Sequence, residues 1–142
     1  QPDLPPAIYD NDRILQVLIN LVNNSIKFTP AGGRVQVSAY GQSEHLILKV
    51  GDTGYGIPKE DLAKVFDRFY RVHRPGKEIK GTGLGLAIVS RIVDAHGGRI
   101  EVESEVNKGT IFTVLLPLVP PSAPAGDPSQ VDQRIESTLA KP

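Results

Sequence analysis

Asparagine, lysine, aspartate and glycine recur in this chain at spacings that suit a phosphate-bearing ligand. Asn20 and Asn24 are four residues apart and Lys27 follows three later, so one side of a helix would carry two amides and an ammonium. Asparagine is a mediocre helix former, yet Asn20, Asn23 and Asn24 cluster within one stretch. An amide oxygen is a hard ligand suited to Mg²⁺, which shares phosphate oxygens and keeps several waters. Lys27 would then act as a point charge for phosphate. The competing reading is the solvated face of an amphipathic helix. Asp52 precedes Gly54 and Gly56. It either makes an Asx turn or offers a carboxylate to the exocyclic amine of adenine beside backbone stripped of side chains. Arg68, Arg71, Arg74, Lys77 and Lys80 face a single acid, Glu78, in one short stretch. That is a solvated charge run or the surroundings of a polyphosphate. Gly81, Gly83 and Gly85 alternate with Thr82 and Leu84 before the apolar segment that Leu86 begins. Their backbone can approach a ligand closely, and a helix opening there would present its amides to an anion. The spacing matches neither the dinucleotide fingerprint nor the Gly-Lys-Ser/Thr phosphate loop.

These residues need elements to carry them. Ile14, Val17, Leu18, Leu21, Val22, Ser25 and Ile26 trace an apolar face with helical period. The helix is expected from residue 11 or 12 to Phe28, with N-cap candidates at Asp10 to Asp12 and a stop at Thr29-Pro30-Ala31-Gly32-Gly33. Residues 34–40 and 45–50 alternate as strands around a turn at 41–44. Pro58 to Val65 reads as a short helix, residues 70–82 as a mobile loop, and residues 83–96 as a second long helix ended by Gly97-Gly98. Residues 99–103 and 110–116 are strands joined at Asn107-Lys108-Gly109. The fold class is α+β: a two-layer sandwich of a mostly antiparallel, mixed sheet with helices on one face. Residues 1–9 are proline-rich and extended. Beyond Pro117 the composition shifts to a Pro-rich linker, with Val131, Ile135 and Leu139 spaced for a short terminal helix. The expected division is therefore a domain over 1–118 and a tail over 119–142.

At 142 residues, 39% hydrophobic and 23% charged, the chain has globular composition and length for one domain. Zero formal net charge gives no reason to expect nucleic acid or an anionic membrane as partner. With no cysteine there is no disulfide framework or thiolate metal site, as suits a reducing cytosol. No apolar run approaches the ~20 residues of a membrane span. The first residue is Gln1 rather than Met, so a fragment of a longer protein is expected.

Taken together, the order Asn-x-x-x-Asn, then Asp-x-Gly-x-Gly-Ile-Pro, then Val65-Phe-Asp-Arg-Phe-Tyr-Arg71, then Gly-Thr-Gly-Leu-Gly-Leu resembles the ATP-binding catalytic domain of sensor histidine kinases. The resemblance covers about residues 8–117. It implies the ATP-binding sandwich (the Bergerat fold) shared with gyrase, Hsp90-type chaperones and mismatch-repair ATPases. By that likeness Asn24 is the Mg²⁺ ligand with Asn20 assisting, Lys27 and Arg71 contact phosphates, and Phe28 lines the nucleotide pocket. Asp52 recognises adenine, Gly54, Gly56 and Ile57 pack beside the base, and Thr110 lies near it. Phe66, Phe69 and Tyr70 anchor a lid whose far hinge is Gly81, Gly83 and Gly85, and Tyr70 and the run Gly81, Thr82, Gly83, Leu84, Gly85 and Leu86 bind the nucleotide. Hydrolytic members carry a glutamate four residues before the metal asparagine; here Asn20 stands there and cannot take a proton, which favours transfer to a histidine over hydrolysis. His45, His73 and His96 lack the context of a phosphoacceptor. The likeness therefore implies a histidine-bearing dimerisation domain and a response regulator receiver as partners, in a homodimeric parent whose kinase domain is cytosolic. The segment before the first helix enters after the family's usual first strand, so the sheet is expected to lack an edge. The alternatives are a degenerate docking module without kinase activity and an anti-sigma-type serine kinase.

Overall fold

A computed structural model describes residues 9–76 and 79–118. The expectations for residues 1–8, for Lys77 and Glu78, and for the tail with Val131, Ile135 and Leu139 lie outside the described residues.

Helix α1 (Asn11–Lys27) starts where Asp10 accepts the backbone N–H of Arg13 at 3.2 Å, an N-cap that satisfies one of the orphan amides of the first turn. Strand β1 (Val35–Gln42) turns tightly through Ser43 and Glu44, both at positive φ, into β2 (His45–Asp52). Two consecutive left-handed residues match the twist that a two-residue hairpin needs. Helix α2 (Gly85–Ala95) leads through Gly97, at φ +69°, into β3 (Arg99–Glu105) and then β4 (Gly109–Pro117). Gly98 N–H donates to the Val93 carbonyl at 2.9 Å, the closing bond of a glycine-terminated helix end.

Among the described residues the strands lie in the order β1-β2-β4-β3, and every pairing is antiparallel. The expectation of a mixed sheet is corrected on that point: two hairpins stand side by side, and β2 and β4 pair antiparallel between them. Among the described residues β1 and β3 are the two edges.

One face of the sheet carries the core. Leu48 and Val50 of β2 and Phe112, Val114 and Leu116 of β4 alternate inward, as the two-residue period of a strand requires. Val17 and Leu21 from α1 and Val89, Ile92 and Val93 from α2 cover them. Tyr9 ties the start of α1 to the end of β4 by donating its hydroxyl to the Pro117 carbonyl at 2.8 Å. The apolar face of α1 is narrower than its spacing predicts. Val17, Leu21 and Ser25 are buried, whereas Ile26 is 60% exposed, because the helix meets the sheet along an i, i+4 line.

The short helix expected over Pro58 to Val65 is instead a single 3-10 turn (Lys59–Asp61) followed by turns. Its bonds run from Asp61 N–H to Pro58, from Lys64 N–H to Asp61 and from Asp67 N–H to Lys64, spans of three rather than four residues. Eight residues are too few to hold an α-helix unaided, and Val65 is the one residue of this stretch that the core takes in fully.

Candidate functional site

The sheet register builds one wall of the site. Asp52 pairs with Thr110 across β2 and β4, and Thr110 pairs with Ser104 across β4 and β3. These side chains continue the inward row one step past Val50 and Phe112, so the apolar core passes directly into a polar end. Beside it opens a cavity of about 1190 Å³. Asn20, Asn23, Asn24, Lys27 and Phe28 from α1 line it, with Asp52, Gly56 and Ile57 from the loop after β2. Tyr70 and Arg71 line it from the following segment, residues 81–86 from the approach to α2, and Thr110 from β4. Of the described residues that the sequence singles out, Gly54, Phe66, Arg68 and Phe69 do not line this cavity; the nucleotide, phosphate and metal candidates otherwise all do.

Gly54 is required for a different reason. The Phe28 carbonyl accepts the Tyr55 N–H at 3.0 Å, and a Cβ on Gly54 would overlap that carbonyl. The bare backbone lets the loop close against the end of α1. Asp52 holds the same turn, its Oδ1 accepting the Gly54 N–H at 2.9 Å. The Asx reading and the ligand reading of Asp52 thus coexist, since a carboxylate has a second oxygen.

The two helices meet at the cavity's polar end. A Cβ placed on Gly85 would stand 3.7 Å from Asn20 Oδ1, and one on Gly81 would stand 2.8 Å from Lys27 Nζ. Helix α2 begins there with no side-chain cap and no acidic residue in its first turn. Its first amides and its dipole are thus left to an anion. Lys27, Arg71, Arg74 and Lys80 line the cavity, with Asp52 as the one carboxylate among the described residues. Among the described residues the ion pairs are Arg99 with Glu101 and Lys108 with Glu105, and none of these four side chains lines the cavity. A chain of zero net charge therefore concentrates positive charge in one place.

The segment between Phe69 and Gly83 is tied at its base, where Phe69 N–H donates to the Gly83 carbonyl at 2.9 Å. Gly83 sits at φ +73°, and a Cβ there would meet the Phe69 backbone at 2.8 Å, so this hinge admits no side chain. Phe66 anchors one end with its ring edge-on to Phe112, centroids 6.1 Å apart. Tyr70 donates its hydroxyl to Asp61; that bond, then desolvation, raises its phenol pKa above the ordinary value. Phe69 departs from the anchoring role expected of it: its side chain is 70% exposed and only its backbone holds the base. Arg71 donates to the Ile79 carbonyl across the segment.

Arg74 is a contributor that sequence reading left among an undifferentiated charge run. Its guanidinium donates to the Gly56 carbonyl at 2.7 Å and lies 5.1 Å from the Phe28 ring centroid and 5.9 Å from that of Tyr55, distances that suit cation–π contact. Burial lowers its pKa against the opposing fields of Asp61, Tyr55 and Asp52, and its Nε is buried without a partner among the described residues. Ser104 was missed altogether, although a signal was present: it takes the inward position after Ile100 and Val102, where an apolar residue would be expected.

This arrangement matches a known family. Residues 9–120 fit the model of the histidine kinase-, DNA gyrase B-, and HSP90-like ATPases, and the chain belongs to that family. Within it, the domain is an ATP-binding catalytic domain of the sensor histidine kinase type. The chain is 48% identical over 111 residues to sensor histidine kinase WalK of Bacillus subtilis, covering 76% of this chain and 18% of that protein. It superposes on the mycobacterial sensor histidine kinase MprB with TM-score 0.72 and 35% identity, over 80% of this chain and 78% of the other. Full-length ShkA in complex with AMPPNP gives TM-score 0.70 and 34% identity, over 84% of this chain and 24% of that one. The chain thus spans under a fifth of WalK. Among the described residues no helix is long and apolar enough to cross a membrane.

Proposed function

We propose that this domain binds Mg²⁺-ATP in the cavity and transfers the γ-phosphate to a histidine on a separate helical domain of its parent protein. The observation that carries the proposal is the convergence of Asn20, Asn24 and Lys27 with the uncapped start of α2. Asp52 and Thr110 would receive the adenine, with Phe28, Gly56 and Ile57 beside it. Lys27, Arg71 and the amides at residues 83–86 would hold the phosphates. Among the described residues no group of three or more His, Cys, Asp or Glu side chains could hold a metal. A cation there would depend on amide oxygens and on the ligand's own phosphates, a donor set that fits Mg²⁺. Asn24 and Asn20 would supply those amides. Bound in this way, Mg²⁺ neutralises phosphate charge and orients its oxygens.

Asn20 cannot accept a proton, so the cavity offers no carboxylate on α1 to activate water. A neutral imidazole needs no such base. The names of the relatives favour the same direction, and ShkA is described with an ATP analogue. In the parent protein the partners would be a histidine-bearing dimerisation domain, itself making a homodimer, and a response regulator receiver. The setting would be the cytosol, with a catalytic unit over 1–118 and a tail over 119–142.

The test combines this chain with γ-labelled ATP, Mg²⁺ and the separately produced helical domain of its own parent. The expected product is a phosphoprotein whose label is lost in acid and kept in base. Acid-stable label would indicate a serine kinase, and ATP binding without label a docking module. Calorimetry showing no ATP binding at all would refute the whole reading.

A further inference from the structure

The row Asp52, Thr110, Ser104 contains more information than its residue types. Ser104 Oγ lies 2.7 Å from the Ile57 backbone N, 2.9 Å from the Gly109 carbonyl oxygen and 2.8 Å from Thr110 Oγ1. The protons of this network can be assigned by elimination. The Ile57 N–H can only donate, so Ser104 accepts there. The Gly109 carbonyl can only accept, so the single Ser104 proton goes to it. The short contact between the two hydroxyls must then use the Thr110 proton, donated into the second lone pair of Ser104. Ser104 is thereby saturated, with one proton given and two accepted.

The consequence falls on Thr110, which is only 6% exposed and lines the cavity. Its proton is committed to Ser104, so it can offer the cavity lone pairs alone. Asp52, directly across the register, likewise accepts only, with one oxygen engaged by Gly54 and the other left over among the described residues. We infer that Ser104 is a positioning residue that holds the Thr110 hydroxyl as an acceptor, so that this end of the cavity selects a purine bearing a 6-amino group over one bearing a 6-oxo group. The inference rests on the nucleotide reading above and adds to it the origin of base selectivity. Two acceptors can take both protons of adenine's 6-amino group, whereas hypoxanthine offers one donor, its ring N1–H, beside a 6-oxo acceptor, so at least one of the pair is left unpaired.

The experiment is calorimetric titration of the whole chain, in Mg²⁺ buffer, with ADP and separately with IDP. The wild type should favour ADP. In Ser104→Ala the Thr110 proton is freed to turn into the cavity, and the ratio of the two dissociation constants should fall about tenfold. Ser104→Thr, which keeps the hydroxyl, should restore the wild-type ratio. Ser104→Cys, similar in shape but a poor hydrogen-bonding partner, should fall between the two, and it serves if the alanine variant fails to fold. Adding Ser104→Ala to Thr110→Val should change the ratio no further than Thr110→Val does alone. If Ser104→Ala and Ser104→Cys weaken ADP and IDP by one common factor, Ser104 merely braces the Ile57 loop and the inference is overturned. Wild-type protein that binds neither nucleotide would overturn the nucleotide reading itself.

Discussion

Replacing Asp52 by asparagine separates its two duties. Oδ1 accepts the Gly54 N–H at 2.9 Å and holds the turn after β2. Asparagine retains one oxygen, and the fixed Gly54 donor will keep that oxygen turned toward the loop. The new NH₂ must then take the place of the second oxygen, at the cavity. There it would confront the amine of adenine, donor against donor. The lost charge-assisted hydrogen bond and the unpaired groups together come to about 3 kcal/mol, or roughly a hundredfold in Kd. The turn itself is intact, so the thermal midpoint should move by no more than about 2 °C. Asp52→Ala removes both oxygens and should lose binding as well as several degrees of stability, because the Gly54 N–H loses its partner. Calorimetry with ADP and a thermal melt on each variant decide the matter. An Asp52→Asn protein that melts normally and binds ADP within about threefold of wild type would show that the second oxygen does not face the base.

Gly83→Ala should lower stability by about 2 kcal/mol and weaken ADP binding, because a left-handed backbone and a contact with the Phe69 backbone both oppose a side chain there. Unchanged melting and affinity would remove Gly83 from the hinge. Ser25→Ala should raise the thermal midpoint by about 4 °C: the Ser25 hydroxyl is fully buried without a partner among the described residues, and alanine removes that cost while favouring the helix. A drop in the midpoint would mean that the hydroxyl has a partner after all.

Much of this protein is legible from local pattern. The helical period of Val17 and Leu21, the strand alternation through Phe112, Val114 and Leu116, and the Asp10 cap are short-range regularities, and the elements fall where those regularities place them. Asn20, Asn24 and Lys27 share a helix, so their common side follows from spacing alone. The stretch from Pro58 was misread because propensity over eight residues is weak and the core reaches only Val65 there. Ile26 was misplaced because the line of contact between α1 and the sheet depends on how the helix is rotated against it.

What spacing cannot supply is the meeting of residues far apart in the chain. Asp52, Thr110 and Ser104 become neighbours only through strand register, and register is set by long-range pairing that no local window contains. Arg74 illustrates the same limit, being one cation among several until the folded chain lays it across Phe28 and Tyr55. The residue types at the site are thus set by the sequence and their order along it. Whether a given hydroxyl donates or accepts, and which backbone a glycine makes room for, the end of α1 at Gly54 or Glu105 at Gly56, is decided by tertiary contacts, because both depend on which atom stands opposite.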